Sequence, residues 1–127
     1  MKEKKFDLEN RLIDFAIRIS EVVEALPKTK LANQVGNQMI KSGTSPALNY
    51  GEAQSAESLN DFIHKMKVVL KELRETYICL KIIIRKPLIT PVSKLDGILQ
   101  ENNELISIFV KSIETATKNR ARGGSPK

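Results

Sequence analysis

The sequence is poor in the residue types that carry most enzyme chemistry and most base stacking. It holds no tryptophan, one histidine and one cysteine, and aromatic residues make up only 5% of its 127 positions. A single cysteine excludes a disulfide within the chain and is typical of a reducing compartment, so we expect a cytoplasmic protein. The scarcity of aromatic rings argues against a surface that stacks bases or sugars.

Long apolar runs are missing as well. No stretch approaches the roughly 18 consecutive apolar residues that a transmembrane helix needs, so we expect no membrane role. The first ten residues, MKEKKFDLEN, are too charged for a secretory signal peptide. Apolar residues still make up 41% of the chain, which is enough for the core of one domain.

The net charge of +6 lies at the two ends of the chain. Residues 1–5 hold three lysines and one glutamate, and residues 118–127 hold four cations and no acid. Residues 6–117 are therefore formally neutral. The basic character of the whole chain does not by itself indicate a body that binds nucleic acid.

This distribution predicts three segments. We expect a basic N-terminal arm over 1–6, a helical bundle over 7–118 and a disordered basic tail over 119–127. The final RGGSPK has no apolar residue to bury, which is typical of disordered ends. Three cations near this end are candidate phosphate contacts: Lys118, Arg120 and Arg122.

Apolar residues recur at steps of three and four through the body, and no segment alternates with period two. This pattern predicts four helices and no strand. Pro27 and Pro87 are expected to end two of them, and Ser58 followed by Asp61 resembles a capping box for the third. The expected helices cover residues 7–26, 29–53, 58–85 and 91–118.

Four helices with short connections favour an antiparallel up-down bundle. Asp7 is expected to cap the first helix, and Thr90 with Pro91 to begin the fourth. Several apolar residues lie off the main stripes, and large exposed apolar patches usually mark interfaces, so we expect a homo-oligomer. They are Ile13, Ile17, Val68, Ile82, Ile83, Ile98, Ile106 and Val110.

The stretch SGTSPALNYGEAQSAES at 42–58 is unusual for a helix, because Gly43, Pro46 and Gly51 fall within nine residues. Pro46 removes an amide donor, and its ring clashes with the preceding turn. We therefore expect a kinked or restarted segment over 44–54. Ser45 would cap the restart.

Polar residues in and near this stretch have two interpretations. Asn49 and Glu52 lie three apart, so they share a helix face and can form a binding site. They can equally be structural: Asn49 supplies a donor and an acceptor to a broken backbone, and Glu52 pairs with Arg74 or another cation of the third helix. We favour the structural interpretation for Ser45, Asn49, Glu52 and Arg74.

Enzyme chemistry finds little support. Asp61 and His64 have the spacing of a carboxylate–histidine metal pair, but a di-iron bundle needs two such pairs and this chain has one histidine. Cys79 lies among apolar neighbours and has no histidine nearby in sequence, so we interpret it as a small core residue. We expect no enzyme activity, no metal and no cofactor.

Cations form a second stripe on the third helix, one residue out of step with the apolar stripe. Only Ile78 interrupts it, and it extends for about 30 Å at about 1.5 Å per residue. It is either a solvated face with pairs such as Lys71 and Glu75, or a ridge that contacts phosphates. The stripe consists of His64, Lys67, Lys71, Arg74, Lys81 and Arg85.

The unusual stretch and its surroundings resemble the 23S ribosomal RNA intervening-sequence proteins, a family of bacterial four-helix bundles. The resemblance covers about residues 6–117 and includes FDLENRLIDFAIRI and DFIHKMKVVLKELRET. Pro46 departs from it by replacing an apolar residue, and Leu48 stands where Ala or Ile is common. The matching positions are Gln38, Met39, Lys41, Ser42, Thr44, Ser45, Pro46, Ala47, Asn49, Glu52, Ala53 and Gln54.

This resemblance implies a homopentameric ring and a kinship with the pentameric accessory protein of diversity-generating retroelements. That protein binds nucleic acid and a reverse transcriptase. By this resemblance we expect an oligomeric accessory factor whose partners are RNA or DNA, or a reverse transcriptase or other protein. A scaffold that binds only proteins is the alternative.

Overall fold

A computed structural model describes residues 7–123 of the chain and shows four α-helices. No strand occurs within this described range, so the all-α prediction is confirmed. The expected bounds of the first three helices agree with the structure to within two residues. Helix α1 spans Leu8–Glu24, α2 spans Lys30–Gln54, α3 spans Leu59–Arg85 and α4 spans Asp96–Ala121, preceded by a 3-10 turn at Val92–Leu95.

Each helix packs against the next one along the chain, as in an up-down four-helix bundle. Packing is most extensive between α2 and α3 and sparsest between α1 and α4. Helices α1 and α3 do not pack against each other, so they lie diagonally across the bundle. Their outward faces therefore look away from the core on different sides of the molecule.

Side-chain caps begin two of the helices. Thr29 Oγ1 accepts a hydrogen bond from Ala32 N at 3.2 Å, and Ser58 Oγ accepts one from Asp61 N at 3.0 Å. The second bond is the expected half of the capping box. Asp7 stands at the N-cap position of α1, but its carboxylate accepts a hydrogen bond from the Asn10 side chain and caps no backbone amide.

The fourth helix begins later than expected. Pro91 has an extended backbone, and Lys94 N donates to Pro91 O to form the 3-10 turn. The α-helix starts only at Asp96, so Thr90 is not its cap. At its other end α4 continues to Ala121, which places residues 119–121 of the expected tail in the helix. The expected arm over 1–6 and residues 124–127 lie outside the described range.

Helix α2 runs without interruption through Pro46, so the prediction of a restart at Ser45 is wrong. The proline removes the amide donor that would bond to Ser42 O, and polar side chains near it form other contacts. Asn49 Nδ2 donates to Ser45 O at 3.1 Å and to Ser45 Oγ at 2.8 Å. The hydroxyl of Ser42, one turn before the proline, bonds to Thr76 of α3 at 2.7 Å.

The core contains two phenylalanines, Phe15 and Phe109, surrounded by aliphatic residues from all four helices. In α3 Ile83 is buried, whereas its neighbour Ile84 is only partly buried. Ile98 is also buried. The expectation that Ile83 and Ile98 lie off the core is therefore wrong, and only the other six of that set retain exposed surface.

Two glycines of α2 allow α1 to approach closely. A methyl group at Gly43 would lie 2.7 Å from Ile19 Cγ2, which is too near for any side chain. At Gly36 it would lie 3.3 Å from side-chain atoms of Val23 and Leu26. These positions set the spacing between α1 and α2.

Candidate nucleic-acid interface on the third helix

The outward face of α3 carries all six cations of the predicted stripe, and every one of them is exposed. Steps of three, four and seven residues place side chains on one side of a 3.6-residue helix. We call this surface the α3 ridge. It consists of His64, Lys67, Lys71, Arg74, Lys81 and Arg85.

Only Lys71 of the α3 ridge has a carboxylate partner among the described residues. Its Nζ lies 3.2 Å from Glu72 and 3.6 Å from Glu75. The hydrogen bond to Glu72, with the charges of both acids, raises the pKa of Lys71. The expected Lys71–Glu75 pair is therefore present, and the other five basic residues of the ridge form no salt bridge within residues 7–123.

The two acids that pair with Lys71 are turned toward α2. Glu75 Oε1 accepts a hydrogen bond from Gln38 Nε2 at 3.3 Å, and both acids line a groove beside α2. These acids therefore leave the outward edge of the α3 ridge to Lys67, Arg74, Lys81 and Arg85. Lys81 is positioned by a different contact, since its ammonium lies 5.4 Å from the ring centre of Tyr77 in a cation–π arrangement.

The C-terminal half of the α3 ridge differs from its N-terminal half. Two isoleucines lie among its cations, with Ile78 56% and Ile82 36% exposed. They form the floor of a shallow groove of about 390 Å³ that Lys81, Arg85 and Lys86 also line. The sequence pattern indicated both the interruption at Ile78 and an off-stripe position for Ile82, but not that the two line one groove.

The basic end of α4 meets the start of the α3 ridge. Arg120 Nη1 donates to Asn60 Oδ1 at 3.0 Å. Asn60 lies seven residues, about two turns, before Lys67 on the same side of α3. Lys118 and Arg122 are exposed beside Arg120. The three C-terminal candidates and the N-terminal half of the α3 ridge thus lie at one end of the bundle.

The polar residues of the unusual α2 stretch do not form one cluster. Ser45 and Asn49 bond to each other, as described above. Glu52 forms its ion pair with Lys65 at 2.8 Å, which raises the pKa of Lys65, and not with Arg74. The predicted partner is therefore another cation of α3, and Arg74 belongs to the α3 ridge.

Two polar side chains without a predicted role, Thr76 and Asn102, are fully buried. Thr76 bonds to Ser42 and donates to Glu72 O at 3.0 Å, so its hydroxyl is satisfied. Asn102 donates to Leu73 O at 3.1 Å, while its Oδ1 has no hydrogen-bond partner among the described residues. The interruption of the α4 stripe at Asn102 was the sequence signal for this contact.

A charge cluster joins α1 and α4 and was not predicted. The guanidinium of Arg11 contacts Glu101 at 2.7 Å and Glu104 at 3.1 Å, and the hydrogen bond to Glu101 raises the pKa of Arg11. Bonds from Gln100 and then from Arg11 lower the pKa of Glu104. The neighbouring space of about 420 Å³ is lined mainly by acids.

Features of catalytic or membrane sites are scarce in this part of the molecule. No group of three metal-ligating side chains occurs within residues 7–123. Burial raises the pKa of Cys79, which keeps its thiol protonated and weakly nucleophilic. None of the helices described has both the length and the apolar character to span a bilayer.

Comparison with known proteins agrees with the fold. A solved structure of a protein with unknown function from the S23 ribosomal protein family of Bacteroides thetaiotaomicron matches with a TM-score of 0.72 and 30% identity. The match covers 83% of this chain and 96% of that one. No curated protein matches. The family profile described as 23S rRNA-intervening sequence protein matches residues 4–111, and the chain belongs to that family.

Proposed function

We propose that this chain is a non-enzymatic, oligomeric accessory protein that binds the phosphates of RNA or DNA. The observation that carries the proposal is the joining of two basic regions by the Arg120–Asn60 hydrogen bond. It brings the end of α4 beside the first turns of the α3 ridge. Uncompensated cations on an exposed helix face are suited to contacts with phosphates, which position a nucleic acid without reading its sequence.

The N-terminal half of the α3 ridge is the centre of this proposed surface. Lys67 and Arg74 are exposed and form no salt bridge within residues 7–123, so their charge is available to a polyanion. Lys71 already pairs with two acids and contributes less. The neutral body makes binding weak for one subunit, and several copies in a ring would strengthen it by avidity.

The assembly belongs to the same proposal. A homopentameric ring and kinship with the retroelement accessory protein are implied by the family resemblance. The single cysteine supports a cytoplasmic location, and Pro46 supports a bend of α2. The exposed Ile13, Ile17 and Ile82 support an assembly, since a lone subunit would present them to water. A reverse transcriptase or another protein can join such a ring as partner.

The test is the salt dependence of binding to labelled single-stranded RNA. We expect log affinity to fall linearly with log salt, with a slope of about −0.7 for each phosphate contacted. The double variant Lys67→Ala with Arg74→Ala should reduce that slope by more than one unit. The control variant Lys28→Ala with Lys111→Ala removes the same charge from exposed positions outside the surface and should leave the slope nearly unchanged.

A truncation tests the C-terminal contribution. Removing 122–127 keeps α4 and the Arg120–Asn60 contact intact and should weaken binding modestly. Absence of binding at about 50 mM salt by a folded oligomer would overturn the nucleic-acid proposal. It would favour the alternative of a protein scaffold, which a pulldown resistant to nuclease would support.

A further inference from the structure

Two outward faces of the bundle each present a pair of isoleucines one helical turn apart. On α1 these are Ile13 and Ile17, which are 41% and 52% exposed. On α3 they are Ile78 and Ile82, at the C-terminal half of the α3 ridge. Both pairs have the i, i+4 spacing that forms a ridge capable of fitting the groove of another helix.

The charges around the two pairs are opposite in sign. The α1 pair shares its exposed surface with Asp14, Glu21 and Glu24. The two cations of α1 point elsewhere: Arg11 is bound to α4, and the Arg18 guanidinium lies beside Gly97 of α4. The outward face of α1 is therefore apolar and acidic.

The α3 pair has the complementary surroundings. Residues 76–86 contain no acid, and Lys81, Arg85 and Lys86 line the groove whose floor is Ile78 and Ile82. An apolar centre with cations at its edge fits an apolar centre with acids at its edge. The chain thus carries both halves of one interface.

The two faces lie at different heights along the bundle, and only their nearest members are about one turn apart. Gly43 touches Ile19 while the adjacent Ser42 bonds to Thr76, so Ile19 and Thr76 are level. Because α1 and α3 run in the same direction, Ile17 lies two residues below that level and Ile78 two residues above it, a difference of about 6 Å at about 1.5 Å per residue. The centres of the two pairs differ by about 12 Å, so a neighbouring copy must shift along the bundle by about this distance for the pairs to meet in full.

We infer that a second copy of this chain docks its α1 face on the C-terminal half of the α3 ridge, in a heterologous interface that joins more than two copies. Such a contact forms a ring where the rotation between copies closes and a filament where it does not. The inference rests on the oligomer within the proposed function and specifies its interface. It leaves the N-terminal half of the α3 ridge, with Lys67 and Arg74, open to phosphates.

The test uses one substitution on each face, Ile17→Arg and Ile78→Arg. Wild type should have a mass several times the 14.3 kDa of one chain by light scattering, and each variant should be monomeric. An equimolar mixture of the variants should stop at two copies, because only one intact pair of faces remains. Leu48→Arg, at a site 69% exposed on α2, is the matched control and should keep the wild-type mass.

Several outcomes would overturn the inference. A dimer formed by either variant alone would show a symmetric contact, and an unchanged mass would show that the faces are not used. If a variant fails to fold by circular dichroism, Ile13→Arg or Ile82→Arg replaces it on the same face. RNA binding measured on the same samples separates the proposals, since a folded monomer that still binds would leave the nucleic-acid proposal intact.

Discussion

The helix pairs of this bundle are held together in two different ways. Between α2 and α3 the packing is extensive and encloses the Ser42–Thr76 bond, and Asn102 reaches from α4 to the α3 backbone. Between α1 and α4 the packing is sparse, and Arg11 spans it with two carboxylates that water reaches. Buried contacts contribute much more to stability than exposed ion pairs, so the two regions should respond very differently to substitution.

The largest effect is expected for Asn102→Asp on the packed side. A carboxylate there would be fully buried and would face Leu73 O without a donor, which should cost more than about 3 kcal/mol at pH 7. Burial raises the pKa of such a carboxyl in the folded protein above its value in the unfolded chain. The loss of stability is therefore complete at pH values above the pKa in the folded protein and becomes smaller as the pH falls below it.

Chemical denaturation at several pH values measures this loss. The adjacent Asn103→Asp is the control, because Asn103 is exposed and its substitution should cost little at any pH. Equal stability of the two variants at pH 7 would contradict the buried position of Asn102.

A smaller loss is expected for Gly43→Ala, which tests the close approach of α1 and α2. The new methyl would lie 2.7 Å from Ile19 Cγ2 and must displace α1. Overpacking of about 1–3 kcal/mol should exceed the helix-propensity gain of about 1 kcal/mol. Gly51→Ala in the same helix meets no atom within 4 Å and should raise the melting temperature, so the two substitutions should shift it in opposite directions.

Thr76→Val tests the buried hydroxyl pair between α2 and α3. It keeps the volume of the side chain but leaves Ser42 Oγ without its partner, at a cost of about 1 kcal/mol. Ser42→Ala should lower the stability of the Thr76→Val variant by less than it lowers that of the wild type, because the partner of the Ser42 hydroxyl is already absent. A double-mutant cycle measures that coupling, and strictly additive losses would show that the two hydroxyls do not interact.

The smallest effect is expected for Arg11→Met at the α1–α4 contact. The ion pairs are partly exposed, so the free energy of unfolding should fall by less than about 1 kcal/mol and by less still in high salt. Gln100 and Arg11 lower the pKa of Glu104 in the folded protein. The stability that Glu104 contributes is therefore fully present above its pKa in the unfolded chain and is lost as the pH falls through its pKa in the folded protein.

The pH dependence checks this last prediction. When the pH is lowered, Arg11→Met should lose less stability than the wild type does, because part of the lost ion pairing is already absent. Arg18→Met removes no salt bridge among the described residues and should lose as much stability as the wild type. A loss above about 2 kcal/mol for Arg11→Met would mean that this contact behaves like the packed side of the bundle.

Periodicity and caps were sufficient to predict four helices and the bounds of the first three. Apolar residues of α1 recur at steps of three and four, which place side chains on the same side of a helix. All four are buried in the structure: Leu8, Leu12, Phe15 and Ile19. The cations of the α3 ridge were predicted in the same way, since steps of three and four place them on one face. Polar caps and prolines act within a few residues, which is why Ser58 could be identified from sequence.

Tertiary structure decided what depends on neighbouring helices. Whether Ile82 or Ile83 enters the core depends on the rotation of α3 against its neighbours, and whether Glu52 meets Lys65 or Arg74 depends on the register of α2 against α3. The same holds for Arg11 with Glu101, some ninety residues apart. The local sequence sets the period and ends of each helix, whereas burial and partner choice follow from how the helices pack, because those contacts join residues far apart in the chain.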